Sequence, residues 1–82
     1  MPFMAHVNKT TTLDKLSFGE SAQIDKVLGR GSFRLRLLEL GLLPGTTITR
    51  IGQAPLGDPL SFRVRDAVLC LRKTDALMVI LT

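Results

Sequence analysis

The sequence is short of the side chains that catalysis requires. Its 82 residues include one cysteine, Cys70, and one histidine, His6. A single cysteine excludes an internal disulfide and a CxxC metal or redox motif. A lone histidine in an N-terminal stretch without periodicity assembles no Ser-His-Asp or Cys-His nucleophile system. We therefore expect no catalytic residue and no enzyme activity.

Patterns for nucleotides and metals are also missing. Neither a GxxxxGK[ST] phosphate loop nor a GxGxxG motif is present. The seven Asp and Glu residues are scattered among predicted turns and strand ends. Zinc or ferrous iron would need clustered His, Cys and carboxylate ligands, and Glu39 with Asp58 offers only two carboxylates. We therefore predict no cofactor and no metal ligand.

No apolar run approaches the ~20 residues that span a bilayer. The first six residues lack the basic start and the long apolar stretch of a signal peptide. We therefore expect a cytoplasmic protein that reaches a membrane only through a partner.

Aromatic residues are few, since Trp and Tyr are absent and Phe occurs four times. The net charge is nevertheless +4, from eleven Lys and Arg against seven Asp and Glu. A basic balance is typical of proteins that bind nucleic acid, an anionic membrane or an acidic protein face. Small β-barrels bind single-stranded nucleic acid by stacking its bases on exposed aromatic side chains. Because this sequence has few aromatic residues, nucleic acid is the less favoured partner.

The residues present predict a mostly β domain. Residues 1–12 show no period and are predicted to be a flexible lead-in, so we expect the domain to cover residues 13–82. In residues 21–28, Ala22 and Ile24 alternate with polar positions, and a bulge is expected near Lys26. Four further strands are predicted at residues 47–52, 60–65, 67–72 and 77–81, with a turn at residues 73–76. Cys70 lies in an apolar run and is expected to be buried.

One helix interrupts the strands. Ser32 is a plausible N-cap for a helix over residues 33–40, and Gly41 supplies its left-handed end. Residues 43–46 predict a type II turn, and the prolines of residues 54–59 predict a loop. Five short strands and one inserted helix favour a small antiparallel β-barrel.

The helix and the last strand carry more apolar side chains than one core face needs. Phe33, Leu37 and Leu40 fall on the predicted core face, whereas Leu35 and Leu38 fall opposite. Either the lead-in or a loop covers that second stripe, or a partner does. Residues 77–81 are apolar on both faces, and weak self-association along this strand is an alternative. The predicted docking residues are Arg34, Leu35, Leu38, Met78 and Ile80, with Pro55 and Asp58 of the loop as the other candidate surface.

Three segments resemble one known family. The stretch RLLELGLLPG at residues 36–45 is similar to the signature RLxELGLxPG of the FeoA family. The stretches APLGDP at residues 54–59 and LCLRKTDA at residues 69–76 resemble its proline loop and its LALRRxEA segment. The motif residues have structural explanations as ion-pair, core, cap and turn positions: Arg36, Leu37, Leu40, Gly41, Pro44 and Gly45.

The resemblance implies a fold and a partner. The fold is an SH3-like β-barrel, and the partner is FeoB, a membrane Fe²⁺ transporter with a cytosolic nucleotide-hydrolysing domain. The chain has no room for the helix-turn-helix of related iron-dependent repressors, so no DNA partner is expected. The leading hypothesis is a non-catalytic adaptor that docks on the transporter and modulates iron uptake. The alternatives are a small basic barrel that binds RNA or ribosomes, and a ferrous-iron chaperone or sensor.

Overall fold

The computed structural model describes residues 11–82. The lead-in predicted for residues 1–12, with His6, lies outside this range except for Thr11 and Thr12, which form a short strand. The described chain contains a 3-10 helix at Leu13–Lys15, six strands and two α-helices. In chain order these are β1 (Thr11–Thr12), β2 (Ser21–Val27), α1 (Gly31–Glu39), β3 (Thr47–Gln53), β4 (Leu60–Val64), β5 (Ala67–Leu71), α2 (Lys73–Ala76) and β6 (Val79–Leu81).

The strands form one antiparallel sheet in the order β1-β6-β2-β3-β4-β5. The predicted antiparallel, mostly β fold is therefore confirmed, but the prediction of a closed barrel is wrong. Within the described residues β1 pairs only with β6 and β5 pairs only with β4. Because β1 has just two residues, it is too short to carry the sheet round to β5.

Side-chain alternation places the core on one face of the sheet. Leu60, Phe62 and Val64 of β4 are buried, as their spacing predicts. In β2 the pairing with β6 shifts between Ile24 and Lys26, which confirms the bulge and lets both Ile24 and Val27 point inward.

Helix α1 ends as predicted but begins differently. Arg30 is the N-cap residue, and Ser32 lies inside the first turn, so the predicted Ser32 cap is wrong. At the other end Gly41 has φ +103°, and the Leu42 amide donates to the Leu37 carbonyl at 3.1 Å. This left-handed turn directs Leu42 into the core, where it is fully buried.

The turn that follows α1 is confirmed, whereas the segment before β6 differs from the prediction. Gly45 has φ +85°, and the Thr46 amide donates to the Leu43 carbonyl at 3.0 Å, as a type II turn requires. The turn predicted for residues 73–76 is instead the short helix α2, so β6 starts at Val79 rather than at residue 77. A carboxylate oxygen of Asp58 accepts the Lys73 amide at 2.9 Å and satisfies one free N–H of α2.

Candidate docking surface

The burial of α1 divides its apolar residues differently from the helical-wheel prediction. Leu37 is 2% exposed, and Phe33 and Leu38 are half-buried against the core. Leu40 was predicted to be core but is 41% exposed, because the chain turns away after it and Leu42 fills the core position. Leu35 is 55% exposed and is the residue of the second stripe that solvent reaches most.

Arg34 joins α1 to the end of β2. Its Nε donates to the Val27 carbonyl at 3.1 Å. This bond holds the guanidinium of Arg34 beside the β2 terminus and fixes one flank of the helix. The adjacent Leu35 is therefore presented from a positioned helix.

A second apolar feature forms where β2 ends and β6 approaches. The Leu28 amide donates to the Met78 carbonyl at 2.7 Å, and a Cβ on Gly29 would lie 3.9 Å from Cε of Met78. We call Leu28, Phe33, Leu77 and Met78 the α1–β6 corner. Leu28 and Leu77 are exposed and were not among the predicted docking residues. Both positions fall inside predicted strands, so no sequence pattern marked them as exposed.

Ile80 does not extend this corner into a free edge. It pairs with Thr12 on one side and with Lys26 on the other. Because β6 lies between β1 and β2, the prediction that the last strand offers a self-association edge is wrong. The edges of the described sheet are β1 and β5.

Pro55 and Asp58 lie elsewhere, in the β3–β4 loop. Two strands, β2 and β3, separate β6 from β4 in the sheet, so the loop and the last strand belong to different regions. Backbone bonds from Ala54 to the Pro59 carbonyl and from Gly57 to the Ala54 carbonyl brace the loop at 2.9 and 2.8 Å. Its tip, Leu56, is 97% exposed and was missed, although its position between two prolines marks it.

Cys70 is exposed, so its predicted burial is wrong. Leu69 and Leu71 take the inward positions of β5, and alternation then turns Cys70 to the opposite face. Its sulfur lies 3.8 Å from the Ser61 hydroxyl of the neighbouring strand.

The described residues offer little for ligands of other kinds. Between residues 11 and 82, no three His, Cys, Asp or Glu side chains are close enough to hold a metal ion. Phe18 is exposed, with the Arg50 guanidinium 5.0 Å from its ring centroid, whereas Phe62 is buried. Neither described α-helix is long and apolar enough to cross a membrane.

Replacing Gly29 with alanine should loosen the α1–β6 corner. Gly29 has φ +96°, and an added Cβ would lie 2.9 Å from the Phe33 ring, so the ring must move. Gly19 is a matched control, since it also has positive φ but no neighbour within 4 Å. Both variants strain the backbone, and Gly29→Ala should cost about 1–3 kcal/mol more because of the clash. Equal losses in urea unfolding would show that Phe33 does not pack as described.

Comparison with known proteins identifies the family. A family model described as the FeoA domain matches residues 11–82, which is the whole described range. The chain belongs to the FeoA family. The resemblance in the three sequence segments is thereby confirmed.

One relative joins this domain to a transporter. The Fe(2+) transport protein A/Fe(2+) transporter FeoB fusion protein of Porphyromonas gingivalis is 47% identical over 64 residues. The match covers 78% of this chain but spans only 8% of the fusion protein.

Solved FeoA structures share the fold. The FeoA protein of Chlorobium tepidum has a TM-score of 0.80 at 30% identity, covering 87% of this chain and 68% of that one. The FeoA of Stenotrophomonas maltophilia, solved in complex with zinc and described as a prokaryotic SH3 domain protein, has a TM-score of 0.78 at 28% identity. That match covers 88% of this chain and 89% of the other. The six-stranded sheet is therefore SH3-like.

Proposed function

We propose that this protein is a non-catalytic accessory protein that docks on the cytosolic part of a FeoB-type Fe²⁺ transporter and modulates iron uptake. The fusion relative carries this proposal, because it places an FeoA segment and an FeoB transporter in one chain. A covalent link raises the effective concentration of one domain near the other, which is useful when the two must associate. The separate protein would act at the inner face of the membrane through its partner.

The docking residues that we propose are Arg34 and Leu35 of α1, together with the exposed residues of the α1–β6 corner. Leu35, Leu28 and Leu77 are all exposed leucines, and exposed apolar side chains are what a protein partner covers. Leu38 and Met78 are half-buried, so they support the patch more than they form it. Ile80 contributes least, because Thr12 and Lys26 flank it on the sheet.

Salt should slow the association of this protein with the transporter. The segment that contains α1 carries Arg30, Arg34 and Arg36, and complementary charge mainly accelerates encounter. Raising NaCl from about 50 to about 300 mM should lower the association rate about three- to tenfold, with a smaller change in the dissociation rate. Stopped-flow or surface plasmon resonance separates the two rates.

Charge-removal variants locate this effect. Arg36→Ala should slow association at low salt, whereas Arg65→Ala, in the β4–β5 turn, should change it less. If both variants and salt leave the association rate unchanged, the basic segment does not face the partner.

A pull-down from membranes tests the proposed function. Tagged protein should recover a nucleotide-binding FeoB-type transporter from detergent-solubilised membranes of its own cell. Recovery of ribosomes or RNA instead, with a salt-dependent shift of RNA in a gel, would favour the basic-barrel alternative.

A further inference from the structure

The strand β5 leaves an unprotected edge on the described sheet. β5 (Ala67–Leu71) pairs with β4 and has no second neighbour among residues 11–82. Its five residues include no charge and no proline, the residues that proteins commonly place on edge strands to prevent pairing. Val68 is 56% exposed, and Cys70 is exposed as well.

We propose that the β5 edge pairs antiparallel with β5 of a second copy of this chain, about a two-fold axis at Leu69. An antiparallel pair of identical strands is the arrangement that a two-fold axis generates. Each residue then lies opposite the one equally far on the other side of Leu69. Val68 of one copy faces Cys70 of the other, so the exposed apolar residues cover each other in two symmetric pairs.

Charge around β5 selects this register. Asp66 ends the β4–β5 turn directly before β5, and Arg72 directly follows β5. Both stand three residues from Leu69, so the turn of one copy comes beside Arg72 of the other. Arg72 has extended backbone, with φ −68° and ψ 151°, so it continues the strand direction. An axis at Cys70 would instead place Arg72 opposite Val68 and lose both ion pairs.

The next residues outward, Arg65 and Lys73, carry like charges and stand one position farther from β5. Lys73 begins α2, and its Nζ lies 3.9 Å from where a Cβ of Gly57 would be. Arg65, with φ +56°, and Asp66 together form the β4–β5 turn, and Asp66 is the one of the two that adjoins β5. The charges nearest to the two ends of β5 are therefore Asp66 and Arg72.

A charge exchange tests the pairing. The wild-type chain should form a weak dimer with a dissociation constant below about 1 mM. The dimer is weak because one pair of short strands buries less surface than a stable dimer needs. Asp66→Arg should weaken the dimer about tenfold by replacing two attractive pairs with repulsive ones. The double variant Asp66→Arg/Arg72→Asp should return the dissociation constant to within about threefold of wild type.

Sedimentation equilibrium measures the dissociation constants, and thermal unfolding checks that each variant folds. Asp25→Arg, an equal charge change on β2, is the control and should leave the dimer unchanged. A wild-type chain that stays monomeric at about 1 mM overturns the proposal. A folded double variant that stays as weak as Asp66→Arg also overturns it.

Cross-linking tests the register independently. The variant Val68→Cys/Cys70→Ser is mixed with wild type and oxidised under mild conditions. The proposed register places the cysteine introduced at position 68 of the variant opposite Cys70 of the wild-type chain. Mixed dimers should therefore exceed either homodimer when the oxidised mixture is analysed by mass spectrometry, which separates the three species. An excess of wild-type Cys70–Cys70 dimers would contradict an axis at Leu69.

Discussion

Leu37→Ala should lower the free energy of unfolding by about 2–5 kcal/mol, which is a large part of the stability of a small domain. Leu37 is 2% exposed, and its carbonyl accepts the Leu42 amide that ends α1. Removing its side chain opens a cavity where the helix meets the sheet. Each kcal/mol lowers the melting temperature of a domain this size by about 4–8 °C, so calorimetry would detect the loss easily.

Two other leucines of α1 are matched controls for this prediction. Leu35 and Leu40 are both exposed, and Leu35→Ala and Leu40→Ala should each change stability by about 0.5 kcal/mol or less. Leu38→Ala should fall between these values and Leu37→Ala, because Leu38 is half-buried. If Leu37→Ala does not fold, Leu37→Val gives the same ranking at smaller cost. A loss at Leu40 equal to that at Leu37 would contradict the described helix end.

Leu35→Asp should weaken transporter binding by about ten- to a hundredfold while leaving the fold intact. The exposed leucine contributes apolar contact only when the transporter covers it. A carboxylate at that position would lose its water in the complex without gaining a hydrogen bond or an ion pair. Titration of the purified transporter, followed by interferometry or calorimetry, gives the dissociation constants.

Leu40→Asp is the control for this second prediction. It makes the same chemical change on the same helix at a residue outside the proposed docking set. It should alter binding by no more than about threefold. Equal losses in the two variants would mean that added negative charge, rather than the position of Leu35, weakens the complex.

Local patterns in the sequence predicted the strands because each strand needs only short-range information. The alternation of Leu60, Phe62 and Val64 decides which face of β4 is buried whatever its neighbours are. The same rule applied to Leu69 and Leu71 places Cys70 on the outer face, where it is exposed. The prediction of a buried cysteine was wrong because it relied on the apolar run around Cys70 and not on the alternation of side chains.

Long-range arrangement was harder to predict. The helical wheel placed Leu40 in the core because it cannot show that the chain reverses at Gly41 and inserts Leu42 instead. The apolar faces of residues 77–81 likewise left an edge position open as an alternative, whereas β6 lies between β1 and β2. Strand order depends on contacts between distant segments, which a residue pattern does not encode.

The exposure of the candidate docking residues was predicted only in part. Arg34 and Leu35 could be found on the wheel, and the two flanking prolines could have marked Leu56. Leu28 and Leu77 could not be found, because their exposure depends on where β2 ends and β6 begins. Pro55 and Asp58 were recognised as loop residues, and the structure adds that Asp58 holds the amide of Lys73.

Binding of the purified chain to a purified FeoB-type transporter from the same cell, reconstituted in lipid nanodiscs, tests the central claim most directly. We expect saturable binding with one copy of this chain per transporter chain, weakened by Leu35→Asp and not by Leu40→Asp. Absence of binding at about 100 µM protein, with the chain folded and the transporter active in nucleotide hydrolysis, would contradict the account.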